Sequence, residues 1–419
     1  MQHDRWQTED PTLAQRGQSL IRWAERRMPA LAVYKRQLAQ EKPLTGLQIS
    51  GSLHLTPETA TLARCLQAGG AQITLSGSNP LSTRDEICAS LVQHDGIAVF
   101  AYYGEDRATY YAHLQAAAAV QPDIVLDDGA DLIACLAQSK AHIARVGVEQ
   151  TTTGVQRLRS MEAAGALPFP VIALNNASLK QEFDNPYGTG QNTIDGILRA
   201  TNILIAGKTV VVAGYGWAGR GIAAQARGCG ANVIVTEVSP VRALHAYYDG
   251  FRVLPMSQAV ELGDVFVTAT GCREIITAAN FDRLKDGAIL ANSGHFDVEI
   301  DVASLERTAK AKTEIRPNLT EYTLTSGKQI YLLAQGRLVG QSAAEASPAD
   351  IMDLTFTLMA VTVEWAARES KAFPKNQVLL PPPEFTDRVA SMKLAALGLA
   401  HDHFTPSQRE YLASWGAGT

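Results

Sequence analysis

The chain has little that points to a membrane, a nucleic acid or an oxidising compartment. No stretch approaches the roughly 18 consecutive apolar residues of a membrane-spanning helix, so no membrane association is expected. The opening stretch, MQHDRWQTEDPTLAQRGQ, lacks the apolar centre of a secretory signal. Five cysteines (Cys65, Cys88, Cys135, Cys229, Cys272) are scattered, with no Cys-x-x-Cys pair and no histidine at ligand spacing. That spacing argues against a zinc centre or a disulfide framework and for buried reduced thiols in a cytoplasmic protein, with no metal expected. A net charge of −5 over 419 residues leaves no basic footprint for nucleic acid. Neither an internal repeat nor a low-complexity segment occurs. What remains is a globular composition, 46% hydrophobic and 19% charged, long enough for two or three domains with their own cores.

The most informative stretch is TVVVAGYGWAGRGIAAQARGCGANVIVTE, residues 209 to 237. A β-rich run, Thr209 to Ala213, leads into Gly214-Tyr-Gly216-Trp217-Ala218-Gly219, then a helical segment, then a second β run ending at Glu237. Gly214 permits a tight turn, Gly216 lets backbone approach a pyrophosphate, and Gly219 lets helix and strand pack closely. The helix N-terminus offers free N–H groups to phosphate. Glu237 stands where a carboxylate accepts ribose hydroxyls of NAD and repels the 2′-phosphate of NADP. The order strand, glycines, helix, strand, acid marks an NAD site.

Upstream, residues 12 to 40 carry a helical pattern. From Leu44 short apolar runs alternate with helical segments: Leu47–Ser50, Gln72–Leu75, Ile97–Phe100, Ile124–Leu126, Val146–Val148 and Val171–Leu174. This rhythm predicts a parallel sheet with helices on both faces. Polar residues follow these strands, at the edge where doubly wound sheets bind ligands: Gly51 to His54, Asp127-Asp128-Gly129, and Glu149 to Gly154. Residues 175–191 (NNASLKQEFDNPYGTGQ) read as a loop leaving the first domain, and 193–207 as a connecting helix. Further β runs follow at 264–269, 288–291 and 329–334. An apolar helix, IMDLTFTLMAVTVEWAARE, is expected to return to the first domain. After LPPP come an amphipathic helix from Phe385 to Leu399 and a short polar tail.

Several residues have both a structural and a chemical reading. Lys180 and Asp184 are spaced as an i,i+4 ion pair, worth only a few tenths of a kcal/mol on a surface; beside an alcohol, the same pair can pass a proton. His54 and His295 each follow a β run and read equally as loop histidines bonded to backbone. Thr56 with Thr59 looks like an N-cap, with Pro57 at the first helical position. Asp127, Asp128 and Asp131 can each cap a helix.

Together GSLHLTPETA, LDDGADL, TTTGVQRL, SLKQEFDNPYGT, DGILRATNILIAGKTVVVAGYGWAGRGIA, ANSGHFDVEID and LLAQGRLV resemble, in order and spacing, the S-adenosyl-L-homocysteine hydrolase family, from about residue 15 to about residue 412. The resemblance implies hydrolysis through a redox detour: 3′-oxidation of the substrate ribose with NAD, C4′ deprotonation, loss of the 5′ thiol, water addition and re-reduction. It implies that Lys180 and Asp184 engage the 3′-hydroxyl, and that Asp128, His54 and His295 form the acid–base group around C4′, C5′ and sulfur. Asn185 would lie beside the nicotinamide. Thr56 and Glu58 would contact adenosine, and Gln150 the ribose hydroxyls. Thr151, Thr152 and Thr153 would reach NAD from the substrate domain, with Trp217, Ala218, Gly219, Glu237, Arg242 and Asn292 to His295 on the cofactor side. The fold implied is α/β, two doubly wound parallel-sheet domains with a short C-terminal segment: residues 1–185 and 349–395 for substrate, 190–345 for NAD, 396–419 as a tail. A homo-oligomer, dimer or tetramer, is expected, with domain hinges near 186–192 and 344–350.

The chain departs from the family pattern in one neighbourhood. Gln150 replaces a glutamate, Gly340 an asparagine, Ser347 a histidine and Arg242 an asparagine, and the end at WGAGT lacks a Lys-…-Tyr segment, which implies weaker NAD retention. Three readings stay open at this point: hydrolysis of S-adenosyl-L-homocysteine, the same ribose oxidation applied to a modified nucleoside in a biosynthetic pathway, and a non-catalytic NAD-binding homologue.

Overall fold

The computed structural model describes residues 11–139 and 144–416; the first ten residues and the last three, within the expected substrate domain and tail, lie outside the described residues. The first sheet comprises β1 (Gln48–Leu53), β2 (Gln72–Gly77), β3 (Ala98–Phe100), β4 (Ile124–Asp127), β5 (Val146–Glu149) and β6 (Val171–Ala173). The second comprises β7 (Thr209–Ala213), β8 (Asn232–Thr236), β9 (Arg252–Val253), β10 (Val265–Thr268), β11 (Ala288–Asn292), β12 (Ala309–Arg316), β13 (Leu319–Leu324) and β14 (Gln329–Leu333). A last short strand, β15 (Val378–Leu379), pairs parallel with β6 and so joins the first sheet. The central strands are nearly continuous runs of Val, Ile and Leu because both faces are covered by helices.

The strand order β15-β6-β5-β4-β1-β2-β3 reverses direction at β1, leaving a crevice beyond the carboxyl ends of β1 and β4. The order β12-β13-β14-β11-β10-β7-β8-β9 reverses at β7, between β10 and β8. Ligands bind outside the carboxyl ends of the strands at such reversals. His54 and Asp128 leave one crevice, Gly214 and Thr270 the other.

Residues 175–191, read as a loop from their turn formers, are helical instead: a short 3-10 turn (Leu174–Asn176), then a π-helix (Lys180–Gly188) running into the helix Thr189–Thr201. Pro186 explains the widening, since it has no N–H for an α-helical bond. The Thr189 N–H reaches back five residues to the Asp184 carbonyl. The connecting helix ends at Thr201 rather than continuing to Gly207, because Asn202 takes a left-handed conformation with φ 56°. The β12–β13 hairpin was not expected; β12 is largely exposed, and its alternating Ala309, Ala311 and Ile315 are too few and small to mark a buried face. The polar tail contains a further helix, Pro406–Ala413, capped by Thr405 and Gln408.

The helix Ala349–Glu369 is buried on most of its circumference, and Phe356, Leu358, Met359 and Val363 share one core with Leu53, Leu126 and Val148 of the first sheet. At about 1.5–3 kcal/mol per fully buried large apolar side chain, this is a main source of stability for that half. Its one fully buried acid, Asp353, accepts from the backbone N–H groups of Ala30 (3.1 Å) and Leu31 (2.8 Å) and from Lys393 Nζ (2.8 Å). It therefore caps the helix Pro29–Glu41 and ties it to the helix Pro383–Ala396. Asp353→Ala should destabilise the protein by about 3–5 kcal/mol, because it strands two N–H groups and an ammonium. Denaturant unfolding followed by fluorescence measures this; a loss under 1 kcal/mol would mean the contact is dispensable.

Candidate active site

Both crevices open on one cavity of about 880 Å³. The two halves meet through the π-helix and the helix Trp217–Gly228, with almost no side chain between them. A Cβ on Gly221 would lie 2.0 Å from the Pro186 carbonyl oxygen, and one on Gly190 2.7 Å from Gly221 backbone carbon. Alanine at Gly221 would push the π-helix and the helix Trp217–Gly228 apart.

The π-helix settles how Lys180 is used. In a helix of this pitch both i+4 and i+5 neighbours face residue i, so Lys180 Nζ contacts Asp184 Oδ2 (2.8 Å) and donates to Asn185 Oδ1 (2.8 Å). Lys180 and Asp184 are buried, unlike the surface pair their spacing also allowed. Thr355 Oγ1 donates to Asp184 Oδ2 at 3.3 Å, and Asn185 Nδ2 to Asn175 Oδ1 at 3.4 Å.

Across the cavity, Asp128 at the tip of β4 lies between two imidazoles. Its Oδ2 is 3.6 Å from His54 Nε2, and its Oδ1 is 3.5 Å from His295 Nδ1. His54 Nδ1 is held by Ser82 Oγ (2.6 Å) and Ser78 Oγ (3.2 Å), which leaves Nε2 facing Asp128. Burial lowers both histidine pKa values below the ordinary range, against an opposing pull from Asp128. Both rings are therefore mainly neutral at neutral pH. Gly129, at φ +114°, gives His295 its room; a Cβ there would sit 2.2 Å from Nε2.

Two more acids stand beneath. Asp127 caps the helix Asp131–Ser139 through the Ile133 N–H (2.8 Å), the alternative left open by the sequence, and burial pushes its pKa up to about 8. Glu149 accepts from Gly129 N, Thr151 N and Thr151 Oγ1; burial and then Asp127 raise its pKa. Both shape the loop rather than face the cavity. Gln150 does face it, donating from Nε2 to Asp128 Oδ2 at 2.5 Å.

On the dinucleotide side, Gly214 adopts φ +95°, and a Cβ on Gly216 would meet open space. The helix Trp217–Gly228 has no side-chain cap at Gly216, so its first N–H groups face the cavity with Trp217 and Ala218. These features fit a pyrophosphate. Gly219 lies behind, where a Cβ would collide with the Gly214 carbonyl at 1.9 Å, in keeping with a packing role. Glu237 lines the cavity and is fixed by the backbone N–H groups of Tyr215 (2.7 Å), Val238 (2.7 Å) and Ser239 (2.9 Å). Arg242 and Thr151 to Thr153 also line it. Thr151 caps the helix Thr152–Ala163 as well.

Two expected contacts are placed differently. Asn292 is fully buried and lines no part of the cavity. Its Nδ2 binds the carbonyls of Gly294, Phe296 and Gly336, and its Oδ1 accepts from Gly294 N and Thr268 Oγ1, so it holds the His295 loop from behind. Glu58 sits one step back from Thr56, which lines the cavity and caps the helix Pro57–Ala68. Residues not singled out from sequence are Ser82, Asn175, Asn192, Met352 and Phe356. Ser82 follows β2, so the strand-end rule was the signal that could have found it.

Comparison with known proteins agrees with this geometry. The model of the S-adenosyl-L-homocysteine hydrolase family matches residues 5–146, and that of its NAD binding domain residues 185–346. The chain is 52% identical to an adenosylhomocysteinase of Aquifex aeolicus, over 98% of this chain and 99% of the relative. It is also 52% identical to that of Sulfurisphaera tokodaii, over 99% and 100%. An S-inosyl-L-homocysteine hydrolase of Methanopyrus kandleri is 49% identical over 98% and 97%. With two family models covering most of its length and full-length relatives at half identity, the chain belongs to the S-adenosyl-L-homocysteine hydrolase family.

Proposed function

We propose that this protein hydrolyses S-adenosyl-L-homocysteine to adenosine and homocysteine, using NAD held between the two sheets. The observation that carries this reading is that one cavity receives both the uncapped glycine turn and two separate proton-handling groups. The first is Lys180 with Asp184 and Asn185; the second is Asp128 with His54 and His295.

When bound, NAD supplies the hydride acceptor that converts the 3′-hydroxyl to a ketone, and the same hydride later restores the alcohol. Lys180 and Asp184 engage the 3′-hydroxyl and take up its proton as the carbon is oxidised. The ketone acidifies the C4′ hydrogen. Asp128 and the two histidines, buried and close together, remove that proton and donate one to the leaving sulfur. They then activate water for addition at C5′ and return the proton to C4′. Neutral imidazoles suit this exchange, since each can accept a proton and pass it on. Burial excludes bulk water from the intermediate ketone. Thr151 to Thr153, Trp217, Ala218, Glu237 and Arg242 hold the dinucleotide, and Thr56 and Gln150 meet the nucleoside. We take residues 1–185 and 349–395 as the substrate unit and 190–345 as the cofactor unit, with the helix Ala349–Glu369 and β15 counted with the first. We also propose a cytoplasmic homo-oligomer, from the family and the exposed apolar side chains Val238, Tyr248 and Trp415.

Alanine at Lys180 or Asp184 should reduce substrate-driven reduction of bound NAD by about 10²–10⁴-fold, with far-UV circular dichroism unchanged. Survival of that reduction in both variants would remove the assigned roles. The test pairs absorbance of the nicotinamide with product analysis on S-adenosyl-, S-inosyl- and modified homocysteine conjugates.

We further propose that the adenosyl preference comes from Glu58, which lies just behind the cavity lining and would meet the purine edge past Thr56. Its Oε2 is buried without a partner, and burial pushes its pKa up to about 7, with Glu345 adding to the rise and Arg84 opposing it. Above that value the group is a carboxylate, which accepts from a 6-amino purine; below it the acid can donate to a 6-oxo purine. The ratio of kcat/KM for S-adenosyl over S-inosyl substrate should therefore rise as pH increases through about 7. A ratio independent of pH, or a Glu58→Gln variant with the parental ratio, would exclude Glu58 as the reader.

A further inference from the structure

The helix Thr152–Ala163 carries Thr153, Gln156 and Arg157 on one face, at i, i+3 and i+4. That face belongs to the first half of the molecule and meets the second. A Cβ on Gly271 would lie 3.5 Å from Thr153 Oγ1 and 3.8 Å from Gln156 Oε1. The Arg157 guanidinium lies over the Phe296 ring, 5.1 Å from its centroid. A second cavity, of about 660 Å³, is bordered by Arg157 and Phe296 and shares Thr153, Gln156 and Gly271 with the main one.

Within its own half, Arg157 Nη1 donates to the Gly129 carbonyl and to Asp131 Oδ1 (2.7 Å). Gly129 directly follows Asp128, and its N–H donates to Glu149 Oε1 at 3.1 Å. The turn that carries Asp128 is therefore gripped twice, at an N–H by Glu149 and at a carbonyl by Arg157. On the other side of the join, Phe296 directly follows His295, and the two rings meet edge to face at 4.6 Å. Asn292 supports this loop from within the second sheet, donating to the Phe296 carbonyl at 2.9 Å; Arg157 reaches it from the first. An arginine suits both duties. Its in-plane N–H groups take oxygen acceptors while the cation attracts an aromatic face, and it stays charged throughout. A lysine supplies a point charge without the plane.

We propose that Arg157 is a positioning residue that ties the Asp128–Gly129 turn of the first half to the His295–Phe296 loop of the second, and so sets how Asp128 and His295 meet across the join. The inference rests on the hydrolase reading above in assigning those two groups to the proton at C4′. Lys180 and Asp184 are held by partners of their own, Asn185 and Thr355. Oxidation of the 3′ carbon therefore does not depend on Arg157, whereas the elimination that follows it does.

The experiment compares Arg157→Ala and Arg157→Lys with the parent, all loaded with NAD and mixed with S-adenosyl-L-homocysteine in a single turnover. Reduction of the bound nicotinamide, read by absorbance, should proceed at the parental rate in both variants. Homocysteine release, read by rapid quench and chromatography, should fall on the order of 10²-fold in Arg157→Ala, because small misplacements of a reacting group are that costly. In steady state the loss should lie in kcat, with KM little changed. Arg157→Lys keeps the charge and much of the volume, so it serves if the alanine variant does not fold; it should show the same selective loss to a smaller degree. A merely structural role would slow both steps together. Equal loss of the two steps, or homocysteine release at the parental rate in both variants, overturns the proposal. Should the parent fail to cleave S-adenosyl-L-homocysteine, the hydrolase reading falls, and the tie is decided by a double-mutant cycle of Arg157→Ala with Phe296→Leu in denaturant unfolding. Non-additive losses there support the tie, and additive ones overturn it.

Discussion

Everything in the cavity depends on how closely the π-helix and the helix Trp217–Gly228 approach each other. Gly221 lies against the Pro186 carbonyl, so backbone touches backbone. That contact turns the carboxyl edges of two independent sheets toward a common space. Without it, each sheet would present an ordinary strand-end crevice to solvent, and neither would hold both a dinucleotide turn and proton-handling groups. The π-helix has a second effect at the same place. Its extra residue per turn puts Lys180, Asp184 and Asn185 on one face, so one local distortion sets both the join and one half of the chemistry.

The other half is an electrostatic compromise. Asp128 lies buried near two imidazoles that burial keeps mainly neutral. Asp127 and Glu149, one layer deeper, have raised pKa values through burial, and their carboxyl oxygens are used to fix the loop. Burying several acids together is costly unless some hold protons or are hydrogen-bonded. Here the deeper pair, whose pKa values burial raises, takes the backbone donors. The outermost acid keeps an amide donor and two weakly basic neighbours. The separation of roles follows from depth and not from residue type.

Much of this was legible in the sequence where a residue's role follows from local order. The strand–glycine–helix run fixed the dinucleotide turn, and the rhythm of apolar runs placed Asp128 and Gln150 at strand ends. His54 was located to the correct edge, although β1 extends through Leu53 and so includes Gly51 to Leu53, which were expected to follow it. What was not legible depends on contacts distant in sequence. Turn-forming residues masked the π-helix, since Asn, Gly and Pro carry the same local preference whether they leave a helix or widen it. Asn292 looked like a cofactor contact because it precedes His295, yet only the fold shows its amide filled by three carbonyls. Phe356 lies in a segment whose local pattern gives no hint that it reaches the cavity.

The departures at 340 and 347 form one coupled change when seen in space. A Cβ on Gly340 would lie 2.0 Å from Asn192 Oδ1, so the Asn192 side chain already fills the volume that a residue at 340 would need. Asn192 Nδ2 in turn donates to Ser347 Oγ at 3.2 Å, a bond that requires a short side chain there. Both 340 and 347 line the cavity, as does Asn192. The amide that the family pattern carries on one segment is thus matched by an amide on the facing helix, and the smaller residues at 340 and 347 are what let it enter. Read singly, those positions suggest a site that has lost its grip on its ligands; read together, they describe a cavity wall rebuilt around Asn192 with its polar group retained.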